Sequence, residues 1–109
     1  MSLLQDLGNQ YRKLRQQKKD WHKLVMDNVD EYDNVGGSAD SVKNARDGHA
    51  RLYFKVSSGE FALRLFDNPS RSSEWTDQVG CGQDNDPNSD EVISVLKKVK
   101  AVWENALDK

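Results

Sequence analysis

Apolar and polar positions along this chain follow one period at its two ends and another in its middle. When residues 2–32 are set on a helix of 3.6 residues per turn, Leu3, Leu4, Leu7, Tyr11, Leu14, Trp21, Val25, Val29 and Tyr32 fall within about 100° of one another. Positions 4, 7, 11, 14, 18, 21, 25, 28 and 32 also keep the alternating three-four spacing of a heptad, and read Leu, Leu, Tyr, Leu, Lys, Trp, Val, Asn, Tyr. The pattern predicts one long N-terminal helix over 2–32. Gly8 inside it costs about 1 kcal/mol relative to Ala and marks a point of fraying or breakage. Gly36 and Gly37 provide the stop. A loop or short helix follows over 33–48, where "SADSVKNARDG" (38–48) opens on a capping Ser38 and closes on Gly48.

From residue 50 the period drops to two. "ARLYFKVS" and "EFALRLF" flank Ser58-Gly59, a dipeptide suited to a tight hairpin turn, and predict a β-hairpin over 50–66. With Ser57 paired to Glu60, Leu52, Phe54 and Val56 lie opposite Leu65, Leu63 and Phe61 on an apolar face. The other face sets Arg51, Tyr53 and Lys55 opposite Phe66, Arg64 and Ala62. "NPSRSS" reads as a turn, and "EWTDQV" (74–79) as a candidate third strand with Trp75 and Val79 inward. A polar loop spans 80–88. The last helix covers 89–108, with Asp90 and Glu91 favouring its N-terminal dipole. Its apolar arc is Val92, Val95, Leu96, Val99, Val102, Trp103, Ala106 and Leu107, while Lys97, Lys98 and Glu104 point away.

The expected fold is α+β. A long helix, a candidate short helix and a two- or three-stranded antiparallel meander precede a C-terminal helix, packed as a two-layer α/β sandwich in a single domain over 1–109. Double-stranded-RNA-binding domains share this bare order. They begin their last helix with lysines, whereas here it begins "NSDEVIS", so the order alone implies nothing about RNA. One mismatch stands out. A helix of about 30 residues runs roughly 45 Å, against about 26 Å for an eight-residue strand and about 30 Å for the last helix. Either the first helix breaks, or part of its seam meets another molecule.

Charge sharpens the second alternative. "YRKLRQQKKDWHKL" (11–24) holds six basic side chains and one acid. On the helical wheel Arg12, Arg15, Lys19 and Lys23 form one flank of the apolar stripe. Asp6, Asp20, Asp27 and Glu31 form the other, together with Lys13. Flanks of opposite sign are the layout of a helix that pairs with a neighbour. They also serve a plain solvated face. Lys18 stands at the stripe's centre, where it either snorkels outward or specifies a partner. The nine-position heptad run and its excess length motivate a homodimer through the first helix. On the hairpin, Arg51, Tyr53, Lys55, Arg64 and Phe66 interleave bases with aromatics, a pattern that can hold phosphates and stack bases. The same pattern also stabilises an ordinary exposed sheet.

Composition limits the rest. The chain has 109 residues, 31% of them charged, a net charge of −2 and an acidic pI of about 5.6, with a mean hydropathy of −0.88. No overall field therefore draws it to nucleic acid or anionic lipid. No apolar run approaches a membrane span, no export signal is expected from "MSLLQDLG", and a single cysteine suits the cytoplasm. Cys81 with His49 is the one conceivable nucleophile and base, without any oxyanion motif beside it. His22, His49 and Cys81 lack zinc spacing. "DNDPNSDE" departs from a calcium loop at Ser89 and Val95. No metal or cofactor is expected. The sequence points to a small non-enzymatic protein-binding module, a regulator, inhibitor or adaptor. Nucleic-acid binding through the hairpin's basic-aromatic face and the basic flank of the first helix is the second reading, and a Cys81-dependent enzyme is the third.

Overall fold

The computed structural model describes residues 2–33, 49–79, 83–84 and 86–107. The candidate helix at 38–48 and the pairing of Cys81 with the His49 side chain lie outside what it describes.

The long first helix is two helices. Helix α1 runs Leu3–Gln16, with the Ser2 hydroxyl accepting from the Gln5 amide at 3.1 Å and Asp6 in the first turn. It ends in a Schellman turn. The Lys18 N–H donates to Arg15 O at 3.0 Å and the Lys19 N–H to Leu14 O at 2.9 Å, while Lys18 takes a left-handed φ of 58°. Asp20 then caps α2, Trp21–Asn28, by accepting from the Lys23 amide at 3.0 Å. The heptad pattern hides this break because Leu7, Tyr11, Leu14, Trp21, Val25 and Val29 are all buried on both sides of it. Lys18 is not at the centre of a buried stripe: it is the exposed corner between two helices. Asn28 is likewise exposed and donates its side-chain amide to Leu24 O at 2.8 Å.

Strands β1 (His49–Val56) and β2 (Gly59–Phe66) form the predicted hairpin, with a register two residues away from the expected one. Leu52 faces Leu63, Phe54 faces Phe61 and Val56 faces Gly59, so the turn is Ser57-Ser58. A two-residue shift keeps every side chain on its predicted face, since the side-chain period is two. The cause lies far away in sequence. At Gly59, φ is +156° and a Cβ would stand 2.9 Å from Pro87 N. The neighbouring turn is held by Glu91, whose carboxylate accepts from the Ser57 amide at 3.1 Å and from the Ser57 and Ser58 hydroxyls at 2.7 Å each. Those hydrogen bonds, with Ser57 foremost, hold the Glu91 carboxyl below the usual range.

The expected third strand is shorter than 74–79. Strand β3 (Glu74–Thr76) pairs antiparallel with β2, giving the sheet order β1-β2-β3. Beyond Asp77 the chain leaves this sheet, and β4 (Gln78–Val79) pairs with β5 (Gln83–Asp84) instead. Helix α3 spans Ser89–Leu107, and Asn88 Oδ1 accepts from the Asp90 amide at 2.8 Å as its cap.

The three helices lie on one face of the sheet as a two-layer α+β arrangement. Between the layers sit Leu7, Leu14, Val25, Leu52, Phe54, Leu63, Val92, Val99 and Trp103, all without solvent exposure. The Trp103 indole donates to Trp21 O at 3.1 Å and ties α3 to α2. A continuous line of rings runs through this core. Tyr11, Trp21, His22, Tyr32, Phe54, Phe61 and Trp75 follow one another at centroid separations of 5.1, 5.9, 5.4, 6.0, 5.2 and 6.0 Å. His22 Nε2 lies 2.6 Å from the Tyr32 hydroxyl within it.

Candidate functional site

The break between α1 and α2 divides the basic row into two groups with different tasks. Arg12 and Arg15 belong to α1 and reach the end of β2. Arg12 donates to Phe66 O at 3.1 Å and to Asn9 Oδ1 at 2.6 Å. Arg15 pairs with Asp67, which also accepts from the Tyr11 hydroxyl at 3.0 Å. Burial pushes the Tyr11 phenol up to about 12, against the partial relief that Arg15 provides. These two arginines fasten the helix layer to the sheet.

Lys19 and Lys23 stand on the far side of the corner, beside the C-terminal half of α3. The Lys19 ammonium donates to Ala106 O, where the negative end of the α3 dipole favours a cation. Lys23 lies 3.7 Å from Asp27, one turn along α2. Between α2 and α3 a groove of about 750 Å³ opens, with Leu24, Val102 and Ala106 as its apolar floor. Lys19, Asp20, Lys23, Asp27, Asn28 and Asn105 form its rim. An apolar floor inside a charged rim is the anatomy of a protein-binding surface.

The hairpin's outer face differs from the expected one. Arg51 sits opposite Arg64, Tyr53 opposite Ala62 and Lys55 opposite Glu60. Arg64 is engaged by Glu74 at 3.0 Å. Two acids therefore belong to a face that reads as wholly basic, Glu60 because of the register and Glu74 because β3 joins on that side. Phe66 is only 2% exposed, with the Arg71 guanidinium 4.0 Å above its ring centroid. It offers no ring to a nucleic-acid base. Arg51 and Tyr53 are half-buried and Lys55 is exposed.

Of the ten residues singled out by sequence, the structure brings Lys19 and Lys23 together at one groove and Arg12 and Arg15 near the end of β2. Lys18 stands apart at the corner. Leu24, Val102, Asn105 and Ala106 were missed as site residues. The apolar arc of the last helix does include Val102 and Ala106, but only the position of the short α2 reveals that they are half-covered. Among the described residues no cluster of His, Cys, Asp and Glu could hold a metal ion, and no helix is long and apolar enough to cross a membrane. No family model matches the chain, and no curated protein or solved structure is similar to it at a significant level.

Proposed function

We propose that this chain is a non-enzymatic binding module that takes a helical segment of a protein partner into the groove between α2 and α3. The observation that carries this reading is the groove itself, with its floor of Leu24, Val102 and Ala106 inside a rim that bears both signs of charge. An amphipathic helix laid there buries its apolar stripe on the floor. Lys19 and Lys23 against Asp20 and Asp27 then favour one orientation of the incoming helix over the other. A regulator, inhibitor or adaptor needs no more than such a surface. The homodimer reading has lost its motive, because Leu7, Tyr11, Leu14, Trp21, Val25 and Val29 lie in the chain's own core rather than on a spare seam.

The test uses a photo-crosslinking amino acid at Asn105, on the exposed rim, and native lysate with and without nuclease. The expected result is a discrete protein adduct that survives nuclease. It should disappear in Ala106→Arg, whose helix content is checked by circular dichroism, and persist in Arg51→Glu/Lys55→Glu. Recovery of nucleic acid that is lost in Arg51→Glu/Lys55→Glu would replace this reading with the hairpin-face one.

A further inference from the structure

Gly8 is an expensive residue in the middle of α1, and its surroundings explain why it is there. A Cβ at this position would stand 2.7 Å from Ser73 Oγ and 3.4 Å from Arg12 Nη1. The missing side chain admits Ser73 against α1, and beside it lies a small pocket of about 80 Å³ between α1 and the segment joining β2 to β3. Gln5, Asn9, Arg12, Arg71 and Ser73 help to line it, and its wall contains no acid.

The donors around this pocket are arranged for an acceptor. Ser73 is 4% exposed, and its Oγ has no hydrogen-bond partner among the described residues. A buried hydroxyl in that condition costs free energy until something accepts from it or donates to it. Arg12 is fixed in place through Phe66 O and Asn9 Oδ1, which use two of the five N–H donors a guanidinium carries. The Arg71 guanidinium carbon lies 4.0 Å from the Phe66 ring centroid, a cation–π contact that holds it beside the pocket.

We propose that this pocket binds a single tetrahedral oxyanion, a phosphate that is either free or the end of a small phosphomonoester. The side chains of Arg12, Arg71, Ser73, Gln5 and Asn9 line this one small space of about 80 Å³. Charge-assisted hydrogen bonds from two arginines suit a dianion better than a carboxylate. The groove between α2 and α3 is not involved, so this site stands or falls independently of it.

The experiment titrates the isotopically labelled full chain with inorganic phosphate, O-phosphoserine, acetate and chloride at fixed pH and ionic strength, reading the amide signals of Gly8 and Ser73. Saturable phosphate binding is expected, with a Kd on the order of 1 mM and acetate at least about tenfold weaker. O-phosphoserine binding as tightly as phosphate would assign the site to monoesters, and much weaker binding would assign it to the free ion. Arg71→Gln, checked for an unchanged melting temperature because Arg71 covers the Phe66 ring, is expected to weaken phosphate about tenfold, and Ser73→Ala several-fold. No saturation below about 50 mM phosphate would mean that the pocket holds only water. Unchanged affinity in Arg71→Gln, or an equal response to chloride, would also overturn the proposal.

Discussion

At Lys18 and at Gly59 the backbone takes a positive φ, 58° at the first and 156° at the second, and the two corners tolerate opposite side chains. The helix corner is exposed, and Lys18 bears a local strain that two Schellman hydrogen bonds offset. The hairpin corner is pressed against the entrance to α3, with Pro87 N 2.9 Å and Asp86 N 3.0 Å from where a Cβ would lie. The same φ sign therefore has only a local consequence in one place, while in the other the backbone conformation and a tertiary close approach both call for glycine. A local corner accepts an unbranched residue at modest cost, whereas a crowded corner at positive φ calls for glycine.

The sharpest way to break this contrast is to give both corners the wrong residue. Gly59→Ala is expected to cost about 2–4 kcal/mol, because the methyl group meets backbone that cannot move aside without shifting the α3 entrance. Urea unfolding measures it, and a loss below about 0.5 kcal/mol would show that the entrance yields freely. Asp20→Ala removes the cap that starts α2 and should cost about 1 kcal/mol, with the change concentrated in hydrogen exchange of the Lys23 and Leu24 amides. Lys18→Gly runs the other way. Removing the Cβ from a left-handed position on the surface should stabilise the chain by about 0.5–1 kcal/mol, and a destabilisation would contradict a purely local cause.

The smallest effect concerns pH at the hairpin corner. Glu91 has its folded pKa lowered, by Ser57 and then Ser58, so its contribution is present above the ordinary carboxylate pKa and is lost as pH falls through the folded value. The melting temperature of Glu91→Gln should therefore lie below that of the parent chain at pH 7. The two curves should converge as the solution is taken below the usual carboxylate range. A gap that persisted unchanged into acid would mean that the serines are held by something other than the ionised carboxylate.

What was legible in the sequence follows the same division. The alternation in 50–66 identified both hairpin faces, and capping chemistry placed the last helix at Ser89, because these are local patterns. The mismatch between a helix of about 45 Å and its partners left a break open, yet the heptad ran straight through it. The trace of the break was Lys18 itself, a charged residue at an apolar position, with the capping Asp20 two residues later. The register was read wrongly because Ser58-Gly59 is a good turn dipeptide. Gly59 is instead required by the approach of Pro87, from 28 positions further along the chain. Glu74's pairing with Arg64 and the burial of Phe66 depend on which strand and which loop come alongside, so the basic-aromatic face could not be judged from its own residues. The groove has the same status, since Val102 and Ala106 look like core until the length of α2 is known.

The file of rings from Tyr11 to Trp75 makes this protein unusually easy to watch. Seven rings from both helical and sheet layers stand each within about 6 Å of the next, and the near-ultraviolet circular dichroism of the six Tyr, Trp and Phe rings among them reports relative orientation rather than helix content. Detaching α2 cuts the file at Trp21 and His22 while leaving the Phe54, Phe61 and Trp75 end in place. A loosening confined to that short helix would thus appear as a partial loss of the aromatic signal at constant far-ultraviolet intensity, an optical gauge that needs no label.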